Sequence, residues 1–220
     1  MPPFPIICLA GTEGVNRSEN EHESAVRTDE GVAVWLKKCN AVCALVATMA
    51  LLVHVGYNAY AYLTFYYNPT LNTLTALPFL ICACLHAAMG IYAVFFQGDG
   101  TRMGLYQRLN WRTLLQRMAA FLMVPLLVAH LQTFTLLSES AARGARGAFV
   151  LVVGLQLAFY AVVAAHVATS FSRALITLGL LDSRERQRRL DRFSSIICVV
   201  AMLVASIVVV RGQMAMFLSE

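Results

Sequence analysis

Carboxylates are missing from the long apolar stretches of this chain. No Asp or Glu lies between Gly31 and Phe96, and none lies in 113–137, 148–173 or 193–212. Charged residues make up 13% of the 220 residues, about half of the roughly 25% carried by an ordinary soluble domain. That scarcity excludes a typical soluble fold. A basic nucleic-acid face is excluded too: the net charge is only +5, and the Lys and Arg residues sit in short connections between apolar runs. Cysteine offers no disulfide framework. Cys8, Cys39, Cys43, Cys82, Cys84 and Cys198 are scattered and read as small buried hydrophobes.

What is present is apolar length. The hydrophobic class makes up 59% of the chain, and the mean hydropathy is +0.65. Five runs, about 40–65, 75–97, 113–137, 148–173 and 193–212, each suffice to cross the roughly 30 Å of bilayer hydrocarbon as a helix. The expected fold is an all-α membrane protein, a single five-helix bundle over 32–220. Residues 1–31 read as a polar, acidic tail. Six acids (Glu13, Glu19, Glu21, Glu23, Asp29, Glu30) face only Arg17 and Arg27 there, a composition that orders on a partner. Met1–Ala10 is apolar but lacks a basic leader, so a signal peptide is not expected.

Topology follows from Lys and Arg. Lys37 and Lys38 precede span one. Arg102, Arg108, Arg112 and Arg117 lie between spans two and three, and Arg184, Arg186, Arg188, Arg189 and Arg192 between spans four and five. The first connection, Tyr66–Thr75, is uncharged, and the third holds only Glu139, Arg143 and Arg146. The positive-inside rule then predicts a cytoplasmic N-terminus and an outer C-terminus. Pro69 and Pro78 flank the first outer turn, and Pro125 is expected to kink span three beside His130.

Each of the first four spans carries one histidine: His54, His86, His130 and His166. The fifth histidine, His22, lies in the tail. Ionisable side chains inside a membrane are costly and usually functional. One alone often serves only to hydrogen-bond across helices. Four, one per helix, suggest two pairs of axial ligands to iron porphyrin. Depth suggests the pairing. His54 is 16 residues beyond Lys38, roughly 24 Å up the helix, and His130 is 13 beyond Arg117, roughly 20 Å. His166 is seven before Arg173 and His86 is 11 before Gln97, roughly 10 and 16 Å. Depth therefore favours an outer pair, His54 with His130, and an inner pair, His86 with His166. The chain has no CxxCH, so the haem would be the non-covalent b type. Zinc is the alternative metal, but it usually recruits carboxylates that these spans lack.

Several stretches resemble a known family. Ala164–Val200, "AAHVATSFSRALITLGLLDSRERQRRLDRFSSIICVV", resembles the fourth span, basic loop and fifth span of the dihaem cytochrome b membrane anchor of quinol:fumarate reductases and succinate:quinone oxidoreductases. Phe121–Phe134, "FLMVPLLVAHLQTF", looks like its third span and Leu85–Phe96, "LHAAMGIYAVFF", like its second. The likeness covers roughly 35–212. It implies His54 with His130 on a distal haem b and His86 with His166 on a proximal one. It further implies a flavoprotein partner with covalent FAD, an iron–sulfur partner, menaquinone as redox substrate, and a bacterial cytoplasmic membrane with both soluble partners on its inner side. The chain itself would carry electrons and quinone chemistry, with no bond chemistry on the dicarboxylate. Some fumarate reductases of this family carry a proton-transferring glutamate two residues before the fourth ligand; that position is Ala164 here, so that proton carrier has no counterpart. The nitrate reductase gamma chain crowds its ligands onto two helices and fits less well. A stand-alone transmembrane cytochrome b reductase and a haem-free histidine-bearing transporter or anchor remain as rival readings.

Basic and polar residues extend the candidate site. Arg173 shares a helix face with His166 and is placed on a propionate of the inner haem, with headgroup snorkelling as the alternative. Arg117 and Gln116 are placed there or on a quinone head, with Trp111 nearby. Arg143 and Arg146 are candidates for the outer propionates. Tyr57, Asn58, Tyr60, Tyr62, Asn68 and Asn72 form an outer quinone candidate, although Tyr enriches at bilayer interfaces regardless of function. The run Arg184–Arg192 is read as a headgroup-facing and partner-facing surface.

Overall fold

A computed structural model of the chain describes residues 12–95, 107–142, 144 and 146–218, with side chains outside 12–30, 107–110, 134, 140–142 and 216–218. Among the described residues every element is helical: α1 (Thr12–Thr64), α2 (Pro69–Phe95), α3 (Gln107–Leu131), α4 (Thr133–Ala142), α5 (Arg146–Thr177) and α6 (Arg184–Leu218). Five of these helices are long and apolar enough to cross a membrane. This is a multi-pass membrane protein. Met1–Ala10, Cys8, Gln97, Arg102 and Arg143 lie outside the described residues.

Local chemistry sets the helix ends and moves several expected boundaries. The first connection shrinks to four residues, because Asn68 caps α2. Its Oδ1 accepts the Thr70 and Leu71 amides at 2.9 and 3.2 Å, and Pro69, which has no amide proton to satisfy, takes the first helical position. Thus α2 begins six residues before the expected 75, and Pro78 lies within it. The third helix starts and ends six residues earlier than the expected 113–137, at Gln107 and Leu131; α4 is a separate helix. The Gln132 amide is shared between the carbonyls of Val128 (3.3 Å) and Ala129 (3.2 Å), and the helix breaks there; Pro125 lies within α3.

Gly179 ends α5 in the left-handed region, at φ 75°. The Leu180 and Gly179 amides fold back on the carbonyls of Leu175 and Ile176, each at 2.9 Å, a Schellman closure. Ser183 then caps α6 through the Arg186 amide. The Arg184–Arg192 run is therefore helical rather than a loop. The acidic segment from Thr12 onward also continues α1 as helix, since lengthening an existing helix avoids the cost of nucleation.

The bundle centres on α5, which packs against α1, α3, α4 and α6, while α2 packs on α1 alone. Buried apolar side chains are small or few, among them Ala41, Ala47, Ala61, Ala119, Phe149, Val152, Phe159 and Val209. Large apolar residues such as Phe121, Val124, Leu74 and Ile207 point outward, as lipid contact requires. The helices that carry paired histidines stay apart: among the described residues no Cα of α2 comes within 8 Å of α5, and none of α1 within 8 Å of α3.

Candidate functional site

Across the gap between α2 and α5, imidazoles meet. The His86 and His166 ring centroids are 6.1 Å apart, with planes at 71°. Each ring is held from behind by a backbone carbonyl of a neighbouring helix. His86 Nδ1 donates to the Asn40 carbonyl at 3.2 Å, and His166 Nδ1 donates to the Gln116 carbonyl at 3.2 Å. A carbonyl can only accept, so the proton is on Nδ1 in both rings. In the neutral ring Nε2 then carries the free lone pair, the arrangement found in metal-ligating histidine. Gly90 lies one turn after His86 on the same face, and a Cβ there would meet nothing within 4 Å.

The other two histidines lie towards the far end of the bundle. His54 is 14 residues after Asn40 on α1, and His130 is 14 after Gln116 on α3. Both are thus about 21 Å along the axis from the first pair. His54 Nδ1 is 3.3 Å from Thr75 Oγ1, and Asn58 Nδ2 is 3.3 Å from both His54 ring nitrogens. His130 Nδ1 is buried without a hydrogen-bond partner. The His130 ring stacks on Phe159, with centroids at 5.0 Å and planes at 24°.

The end that carries Lys37, Arg117 and Arg173 is clasped by arginine. Arg112 forms a two-pronged ion pair with Asp191: Nη2 donates to Oδ1 at 2.6 Å and Nη1 to Oδ2. The same guanidinium reaches Ser172 Oγ at 3.2 Å and the Thr169 and Ala168 carbonyls. Arg173 donates to Gln116 Oε1 at 2.9 Å and Thr113 Oγ1 at 3.0 Å, so it sits beside the residue whose carbonyl holds His166. Ser170 turns its hydroxyl onto the His166 carbonyl at 2.6 Å.

The structure divides the expected outer tyrosine and asparagine cluster. Tyr57 closes the α1–α2 turn, with its hydroxyl donating to the Asn68 carbonyl and accepting the Asn68 amide, both at 2.8 Å. Asn58 joins His54 to Asn72. Tyr60 is exposed. Tyr62 turns instead to α6, where its hydroxyl accepts from Gln213. Trp111 is exposed at the start of the third span, away from the bundle interior. Arg146 is exposed, as are Arg186 and Arg189, which pair with Asp182 and Glu185 on their own surface.

Sequence reasoning passed over one buried polar group. Gln156 donates to the Tyr160 hydroxyl at 2.6 Å, and Gln213 donates to Gln156 Oε1 at 2.8 Å. Gln156 and Gln213 are 4% and 1% exposed. Uncharged amides in the fourth and fifth spans were the signal that could have found them. Asn40 and Gln116 act through backbone carbonyls, which no residue type announces.

The donors fit a group that brings ligands of its own. His86 and His166 bring two imidazoles together at one level. Two metal–imidazole bonds of about 2 Å plus the half-width of each ring span about 6 Å, which matches the His86–His166 spacing. No protein-family model, curated protein or solved structure matches this chain.

Proposed function

We propose that this chain is a dihaem cytochrome b that carries electrons along a membrane-spanning bundle, as the anchor subunit of a quinone-dependent succinate or fumarate oxidoreductase. The observation that carries the haem reading is the His86–His166 meeting across helices whose backbones do not touch, with both Nδ1 protons held by carbonyls. The assignment to that enzyme class rests on the resemblance of Ala164–Val200, Phe121–Phe134 and Leu85–Phe96.

His86 and His166 would hold one haem b, and His54 and His130 the other. A haem held by two histidines would supply one-electron transfer. The residues of the chain set its conditions. Asn40 and Gln116 fix the tautomer and raise the basicity of their imidazoles. Asp191 is engaged by Arg112, whereas Arg173 donates to the neutral oxygens of Gln116 and Thr113. That leaves Arg173 a cation suited to a propionate beside His166. Arg117 stands on the same end. By the positive-inside rule that end faces the cytoplasm, where flavin and iron–sulfur partners would dock against Arg184, Arg188 and Arg192. Quinone, exchanged with the bilayer, would be the other redox partner.

The test is a dithionite-reduced spectrum with haem quantification on protein purified from membranes. Protohaem at two per chain, with two larger subunits co-purifying, is the expected result. Two haems without partners would favour the stand-alone reductase. A haem-free chain would contradict the proposal and favour the transporter or anchor.

A further inference from the structure

The two histidine pairs are held differently. At the arginine-rich end, both imidazoles donate Nδ1–H to a backbone carbonyl. At the far end, His54 has Thr75 and Asn58 beside it, but His130 Nδ1 has no partner although it is buried. The helix beneath His130 is also weaker. Pro125 removes one amide from the ladder, and α3 ends at Leu131, where the Gln132 amide is split between two carbonyls. His130 thus sits one residue before the end of α3, with no hydrogen bond on Nδ1 to fix its ring.

An aromatic surface takes their place. Phe159, 5% exposed, lies nearly parallel to the His130 ring at 5.0 Å, and Tyr160 meets that ring edge-on at 6.4 Å and 65°. The surface is braced. Tyr160 is tied through Gln156 to Gln213 on α6, and Gln213 also reaches Tyr62 on α1. Both α1 and α6 thus brace α5 at the level of His130. Stacked aromatic pairs contribute stability beyond the area they bury, so the stacking can stand in for the hydrogen bond that His130 Nδ1 lacks.

We infer that Phe159 is the positioning residue of the outer haem site: it orients His130 by stacking, where the other end uses carbonyls. This rests on the haem reading above. Its consequence is an asymmetry. His130 is the imidazole that would lose its hold when its support is removed, and the outer haem would then be open to a small neutral ligand such as carbon monoxide. Carbon monoxide would simply replace the imidazole there, with no net redox change.

The test uses the intact membrane-purified protein with Phe159→Leu, which keeps an apolar side chain and removes the ring, and Phe159→Tyr, which restores a ring. Haem content, carbon monoxide uptake by the reduced protein and low-temperature electron paramagnetic resonance are read for each. Wild type and Phe159→Tyr should hold two haems and take up no carbon monoxide. Phe159→Leu should either take up one carbon monoxide per chain or lose the outer haem, with affinity falling about 10–100-fold, the size seen when a supporting group is removed. The retained inner haem reports that the variant is folded. Two haems in Phe159→Leu with no uptake and an unchanged resonance would overturn the inference alone, as would equal uptake in Phe159→Tyr. A wild-type chain without haem would overturn the haem reading as well.

Discussion

Gly212 shows how closely α1 and α6 approach. A Cβ at this position would sit 2.3 Å from Tyr62 Cδ1 and 3.1 Å from Cγ, so any larger residue must push the ring away. Gly212→Ala is expected to destabilise the protein by about 1–3 kcal/mol, the usual cost of overpacking, read as a lower melting temperature in detergent. It should also loosen Tyr62 from Gln213. Gly90 behaves in the opposite way. A Cβ there meets nothing within 4 Å, so Gly90→Leu should leave the apoprotein as stable as wild type. The same substitution should lower haem loading at His86 and His166, because the open space lies on the face of His86. If these two rings hold a haem, their 71° angle predicts a strongly anisotropic low-spin resonance rather than the rhombic signal of parallel imidazoles, checked by low-temperature electron paramagnetic resonance.

Among the helices, one ion pair joins three elements. Arg112 on α3 reaches Asp191 on α6 and Ser172 on α5, and Ser172 is fully buried. The pair itself is about a quarter exposed, at 29% and 23%. Breaking a fully buried pair costs about 3–5 kcal/mol. For this pair, Asp191→Asn should cost about 2 kcal/mol once solvent screening is allowed for. Thermal unfolding of Asp191→Asn, with Asp182→Asn as an exposed control that stays within about 0.5 kcal/mol, roughly the limit for surface changes, checks this. Helix existence was legible in the sequence, since apolar runs of this length have few alternatives in a bilayer. Helix ends were less so. Asn68 and Ser183 act as caps through single side-chain oxygens, and the same residues read equally well as loop. Gln132 ends α3 without any glycine or proline at the break.

For the molecule as a whole, the histidines carried most of the readable information, and their surroundings carried little of it. One imidazole on each of the first four spans and a rise per residue suggested two levels, and the structure brings His86 and His166 into ring contact. The sequence held no sign that Asn40 and Gln116 would support them, because the groups involved are backbone carbonyls. Nor did it show that Tyr62 would leave the outer cluster for Gln213, a contact 151 residues away in the chain. If the levels are two haem sites, substitutions should separate by level. His86→Ala and His166→Ala should each lose the haem at the arginine-rich end, while His54→Ala and His130→Ala lose the other. Difference spectra of the four variants check this, and a shared loss between His54→Ala and His86→Ala would break the pairing.

The most direct measurement is the haem-to-polypeptide ratio of the membrane-purified protein, taken with its reduced spectrum. Two protohaems per chain with b-type bands is the predicted result. A chain that is folded and helical but binds no haem, even when haem is supplied during expression, would contradict the account and return the four histidines to packing or proton transfer.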